Sequence, residues 1–296
     1  MKRLFSTGIV LLFLAGKAGA DPRIDLSGGV SWERMELRAQ AALNLGRADI
    51  RLPSGRSQAE ELIHDAFPAL IQPSLLSLPV DSSSTVGDLI DRGELTLNGV
   101  GHIAMSAKRF PPALSQDLSS LSAGYSVDLA LISSSLIRHR HTADIPRTLL
   151  TASGGNYTGI IIFADQELPV HGRNISASTL PCLFPKIWDS DMNLIYQKNM
   201  VESEKARDGI VRYTSSGKVF MPSPSGLDSS LENFVGPNPL RILARSVYGE
   251  RPTDPVIDRS DALLIIASEE NRQLLREGRV VIVLNSAALA SPLAAE

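Results

Sequence analysis

Arg138, His139, Arg140 and His141 form the densest run of side chains able to do chemistry. Two imidazoles two residues apart can project from one side of an extended chain, and the flanking guanidiniums add positive charge. Such a set suits an anionic polymer or, with further ligands, a metal. No other His or Cys lies near in sequence to complete a metal set. A solvated loop is the plainest reading of these four residues, an anionic-polymer contact comes next, and a metal site last.

Other motifs carry weaker signals. Gly99-Val100-Gly101-His102-Ile103-Ala104 has the G-x-G-x-x-A spacing that lays a pyrophosphate on a helix N-terminus in dinucleotide folds. Pro111-Pro112 follow too soon for the long helix this needs, and no βαβ series surrounds it, so a glycine turn is expected. Asp189, Asp191 and Asn193 place oxygen donors at the alternate positions of a calcium loop. Leu194 stands where such a loop needs Gly and Met200 where it needs the bidentate Glu, so a turn between two strands is expected instead. His64-Asp65 reads as a surface pair on a helix, and His171 as a solvated ring in a turn. The single Cys182, between Pro181 and Leu183-Phe184, reads as a small buried hydrophobe. No G-x-S-x-G, H-E-x-x-H or Walker loop is present. The expectation is therefore a protein that is not an enzyme, with no cofactor, no metal and no catalytic residue.

The elements that would position these residues follow from periodicity. Met35, Leu37, Ala39, Ala41, Leu43 and Leu45 alternate with polar residues, which predicts a half-buried strand. Ser57 stands three residues before Glu60, and Ala59, Leu62, Ile63, Ala66, Phe67, Leu70 and Ile71 share one face, which predicts a helix that Pro68 should kink or end early. A short helix over Val86 to Asp91 closes at Gly93. Leu95 with Leu97, and Val127 with Leu129 and Leu131, read as strand alternation. Gly159 to Ala164, central to the stretch from Tyr157 to Tyr196, reads as a buried strand. Ile210 to Tyr213 and Leu240 to Val247 follow as strands, Ser260 to Ala267 and Ser268 to Arg276 as helices, and Arg279 to Leu284 as a closing buried strand. The Ala- and Ser-rich tail after Asn285 reads as frayed. Pro146 and Gly154-Gly155 mark a connection between two halves. The fold expected is α+β, a helix packed on an antiparallel sheet in two small modules: residues 1–20 a signal peptide, 21–150 an N-terminal module and 151–296 a C-terminal module.

Export is expected because Lys2 and Arg3 precede an apolar stretch, Leu4 to Gly16, that ends in Ala18-Gly19-Ala20, with cleavage before Asp21. The run is shorter than the ~20 residues of a bilayer span. Removing it deletes three cations and no acid, which takes the formal net charge from −3 to −6. That surface does not draw in nucleic acid at long range. The one Cys cannot close an intramolecular disulfide, so stability must come from packing.

Taken in order, Met35 to Leu45, Gly55-Arg56-Ser57-Gln58-Ala59-Glu60, Val80-Asp81-Ser82, Tyr157 to Ile162, Pro185-Lys186-Ile187-Trp188-Asp189, Asn238-Pro239-Leu240, Asp261-Ala262 and Val280 to Val283 form a succession. It resembles exported bacterial envelope proteins related to flagellar assembly proteins P and T. The resemblance implies an α+β module in the periplasm or at the outer membrane, with protein partners in the envelope, self-assembly and flagellar association. It supplies no catalytic residues, and the lipidated Cys of many members is missing. Three readings stay open: a structural or interaction protein of the envelope, a module binding peptidoglycan or another anionic polymer, and an unrecognised periplasmic enzyme.

Overall fold

A computed structural model of the chain describes residues 24–148 and 155–294. The expected signal peptide, its cleavage point and the exact module boundary lie outside these residues. The fold is α+β in two modules, as expected. The first contains strands β1 (Ile24–Ser31) and β2 (Glu36–Asn44), helices α1 (Arg56–Leu76), α2 (Val86–Asp91) and α3 (Leu97–Met105), strands β3 (Lys108–Arg109), β4 (Ala113–Leu114) and β5 (Ser120–Asp128), and helix α4 (Ala130–Leu136). Its sheet is antiparallel throughout, in the order β1, β2, β5, β3, with β4 also on β5.

The strand alternation is realised in the burial. Leu37, Ala39, Ala41 and Leu43 of β2 face the core together with Leu121, Ala123, Tyr125 and Val127 of β5. Helix α1 lays Ala59, Ile63, Phe67, Leu70, Ile71 and Leu75 on that face, and Phe67 stacks on Tyr125 with centroids 3.8 Å apart and planes 13° apart.

Several local expectations are corrected. Helix α1 starts after Gly55 without a side-chain cap, so the Ser57 to Glu60 spacing does not cap it. Pro68 does not end α1, which runs through Pro68 and Pro73 to Leu76. A mid-helix proline costs about 3 kcal/mol, but Leu70, Ile71 and Leu75 beyond Pro68 each gain about 1.5–3 kcal/mol on burial. Gly99 to Ala104 is neither a turn nor a phosphate loop but the body of α3, because the Thr96 hydroxyl caps the helix by accepting the Gly99 N–H at 3.1 Å. Leu97 is therefore the first residue of a helix and not part of a strand. Likewise Val127 closes β5, while Leu129 caps α4 and Leu131 lies within it.

The second module contains β6 (Ile160–Phe163), β7 (Glu167–Pro169), β8 (Ser176–Ser178), β9 (Ile187–Asp189), β10 (Leu194–Tyr196), α5 (Ser203–Ala206), β11 (Arg212–Ser215), α6 (Ser229–Val235), β12 (Leu240–Tyr248), β13 (Asp254–Ile257), α7 (Arg259–Ile266), α8 (Glu269–Arg276), β14 (Val280–Leu284) and β15 (Ala290–Pro292). Its main sheet is mixed, in the order β10, β9, β13, β12, β6, β14, β11. β12, β6, β14 and β11 run parallel, and every residue of β6 and β14 is buried, as a strand covered on both faces must be. Ile161, Phe163, Val281 and Val283 pack under Leu231 and Val235 of α6, and the opposite face joins the core of the first module.

The tail is not frayed. β15 crosses back to the first module and pairs antiparallel with β1 from Gly29 to Ser31. The Trp32 N–H donates to the Leu289 carbonyl at 3.0 Å, and the Ala294 N–H to the Ser74 hydroxyl at 3.1 Å. Composition is silent on such long-range pairing. The modules also meet where the Leu183 and Phe184 N–H groups donate to the carbonyls of Pro79 and Val80, and Arg251 N–H to that of Ser82. At Gly249, with φ at +121°, a Cβ would lie 2.4 Å from that of Ser82, so only glycine admits the close approach.

A chain ended after Asn285 loses β15 and the burial of Leu289, and we expect about 2–4 kcal/mol lower unfolding free energy. Amide exchange at Gly29 to Trp32 should accelerate, and unchanged protection there would contradict the pairing. In α8, Glu269 is held down to about 2 by hydrogen bonds from Arg276 and Arg272, at 2.6 and 2.5 Å. Its folded-state pKa lies below the unfolded one, so its contribution is present above about pH 4.5 and is lost as pH falls through 2. Glu269→Gln should lower the melting temperature at pH 7 and leave it unchanged at pH 2.

Candidate functional site

The four residues singled out in the sequence sit on the segment leaving α4, and the structure splits them into two pairs. The Arg138 guanidinium donates to the Glu94 carbonyl, and His139 Nε2–H donates to the Val201 carbonyl at 2.8 Å. These two side chains fasten the segment down. Arg140 and His141 are exposed and, among the described residues, make no hydrogen bond or ion pair. Two residues on, Ala143 N–H donates to the Asn199 carbonyl at 2.7 Å. The basic segment therefore runs beside residues 199–201 of the second module.

The next residue along, Glu202, opens a cleft of about 550 Å³. Its positions follow from the parallel pairing of β11 with β14. Arg212 starts β11 in register with Val281, and Arg279 immediately precedes β14, so the two guanidiniums stand at adjacent strand starts. Lys205 and Asp208 come from α5 and the turn after it, and Phe234 from the end of α6. Ligands of parallel sheets usually sit at the carboxyl ends of the strands; this cleft lies at the amino ends.

The charges in the cleft are unequally committed. Arg279 is paired with Glu277 at 2.7 Å. Arg212 lies over the Phe234 ring, its guanidinium carbon 3.9 Å from the centroid, an arrangement worth about 0.5–1 kcal/mol. Partial burial lowers its pKa from the usual arginine value. Among the described residues, neither Arg212 nor Lys205 has a carboxylate partner. The cleft thus offers two uncommitted cations, one packed on an aromatic face, with Asp208 and Glu202 on the same wall. That suits a polymer bearing carboxylates alongside amines or hydroxyls better than a bare polyanion.

The remaining motifs have structural duties. The Asp189 carboxylate accepts the N–H groups of Asp191 and Asn193 at 3.0 and 2.7 Å and the Asn193 amide at 2.9 Å, while Asp191 pairs with Arg259. The segment is the expected turn between β9 and β10. Among the described residues, no cluster of three His, Cys, Asp or Glu could hold a metal ion. His171 packs edge-on to Tyr248. Cys182 is fully buried. Burial and then the nearby Asp254 carboxylate push its thiol far up, and Tyr213 Oη accepts its N–H at 3.1 Å while donating to its carbonyl at 2.8 Å. Asp254 is itself buried with no ion-pair partner among the described residues, accepting from Lys186 N–H, Thr253 Oγ1 and Trp188 Nε1, and burial raises its pKa.

Lys205, Arg212, Phe234 and Arg279 were not singled out in the sequence. They are isolated residues on α5, β11, α6 and the approach to β14, and no spacing connects them before the strands pair.

Two family models match the chain. Residues 23–135 match the N-terminal domain of Treponema pallidum Tp0624, and residues 159–286 match its second domain. Between them they cover most of the two modules, with β15 beyond the second match, and neither is a flagellar protein P or T. No curated protein matches. No helix among the described residues is long and apolar enough to cross a membrane.

A buried thiol held protonated is a poor nucleophile. Native protein should leave Cys182 unreacted with a thiol reagent such as dithiobisnitrobenzoate, and unfolding in denaturant should release one thiol per chain. Rapid reaction of folded protein would reopen a chemical role for it.

Proposed function

We propose that this chain is an exported, non-catalytic envelope protein that acts by interaction, holding an anionic component of the cell wall at the cleft between α5, α6 and the start of β11. The observation that carries the reading is Arg212, partly desolvated against Phe234 and lacking a carboxylate partner among the described residues. A desolvated cation gains more from an incoming anion than a solvated one does. Arg140 and His141, exposed on the adjoining segment, extend the positive contact, whereas Arg138 and His139 are spent on backbone carbonyls. Peptidoglycan has the fitting chemistry, since its peptides carry carboxylates and its glycan carries hydroxyls. The leader-like first twenty residues and the resemblance to envelope proteins support a location in the periplasm or at the outer membrane, with other envelope proteins, those of a flagellar motor included, as partners.

Cosedimentation with isolated cell-wall sacculi tests this. Arg212→Glu should reduce binding at least tenfold, and Arg140→Glu less. Salt should weaken both the wild-type and the residual binding. Equal retention of wild type and a folded Arg212→Glu variant would remove the cleft from the reading.

A further inference from the structure

The cleft between α5, α6 and the start of β11 is not simply a positive patch. Its lining carries the cations Lys205, Arg212 and Arg279 and the carboxylates Glu202, Asp208 and Glu277, so its formal charges cancel. A balanced lining exerts little net pull on a polyanion, and what it favours is a ligand whose own opposite charges are set against those of the wall.

These six charges are not equally open. Arg279 is engaged by Glu277 at 2.7 Å, and Gln273 Nε2 donates to Glu277 at 3.3 Å and to Glu202 at 3.4 Å. Lys205, Asp208 and Arg212 remain, and among the described residues none of the three has an ion-pair partner or a side-chain hydrogen bond. Lys205 and Asp208 stand three residues apart on one turn, the Asp208 N–H donating to the Lys205 carbonyl at 3.2 Å. Opposite charges at that spacing are able to pair, yet these two side chains do not. An open carboxylate therefore shares the cleft with Arg212, whose guanidinium is held against the Phe234 ring.

We propose that the cleft takes a side chain of a wall peptide that itself ends as an α-amino acid, with the ammonium on Asp208 and the carboxylate on Arg212. This rests on the cell-wall reading of the same cleft and narrows its ligand to one chemical group. Along a peptide the amines and carboxyls are tied up in amide bonds, so an ammonium and a carboxylate on one carbon survive only at such a diamino acid side chain. That head is neutral, as the lining is, and each of its charges meets an opposite charge that no residue engages. The guanidinium offers the carboxylate two parallel N–H donors, and the ammonium donates to the Asp208 oxygens. A carboxylate with no ammonium beside it brings a like charge up to Asp208 instead.

Diaminopimelate, with pimelate as the same diacid lacking both amines, tests this on the isotope-labelled full chain through the amide resonances of Gly209 and Gly278, which line the cleft. Diaminopimelate should move them saturably, and pimelate, despite its greater negative charge, should bind about two- to fivefold more weakly, the worth of one solvent-exposed ion pair. Asp208→Asn, an exposed change of nearly equal size, should erase that preference without weakening pimelate. Unmoved glycine resonances, pimelate binding as tightly as diaminopimelate, or a preference that survives in Asp208→Asn overturns the proposal. Sacculus binding that is lost in Arg212→Glu, together with any of those three results, removes this inference alone and leaves the cleft as a site for anions in general. Sacculus binding that is equal in wild type and folded Arg212→Glu removes both.

Discussion

The pairing of β15 with β1 is the constraint on which the rest of the structure depends. It lays residues 290–292 on the first strand of the first module, so that module's sheet takes its edge strand from the far end of the described chain. Gly29 allows this approach, because a Cβ there would lie 2.5 Å from the Ser291 carbonyl oxygen. Once β15 is seated, Trp32 lies buried near the junction with its ring edge-on to Tyr213. Glu33 then reaches across to Thr214 and Lys218. Most apolar residues of the first module and those on one face of the second sheet merge into one continuous core, while the other face packs separately under α6. The two domain matches describe separate sequence units, and packing joins them through the larger of the two apolar clusters.

That joint also explains where polar groups are tolerated in the interior. Asp254 and Cys182 lie close to the contact between residues 79–84 and the second module. The buried carboxylate has no ion-pair partner among the described residues but is well supplied with donors, which is how a charge-bearing group is kept at modest cost. The cleft is the opposite case. Its cations are only partly desolvated, and two of them lack the partner that the rest of the molecule supplies elsewhere. Polar groups at the joint are spent on holding the chain together, whereas Arg212 and Lys205 in the cleft have no carboxylate partner among the described residues.

Much of this was legible residue by residue. The alternation in β2, the apolar stripe of α1, the Ser268 cap of α8 and the apolar runs of β6 and β14 are local signals, and the structure follows them to within a few residues, although α1 starts after Gly55 without the side-chain cap that the Ser57 to Glu60 spacing suggested. Failures arose where tertiary burial overruled a local rule. Pro68 and Pro73 stay helical because the residues after them are buried against the sheet. Leu95 and Leu97 do not alternate in a strand, because the Thr96 cap starts a helix between them. The glycines of α3 mimic a phosphate motif in spacing alone.

The candidate sites were less legible than the fold. His64, Asp65 and the Arg138 to His141 run were visible as residues, but which of them are engaged, and by what, depends on carbonyls from distant segments. Sequence alone determined the types of the longer elements, their buried faces and the absence of familiar catalytic motifs, because each is written in spacings of a few residues. Only the tertiary structure decided that the tail closes the first sheet, that Arg212 meets Phe234 and that Asp208 shares their cleft without an ion-pair partner among the described residues. Those outcomes depend on strand order and on which distant residues come into register, and no local periodicity encodes either.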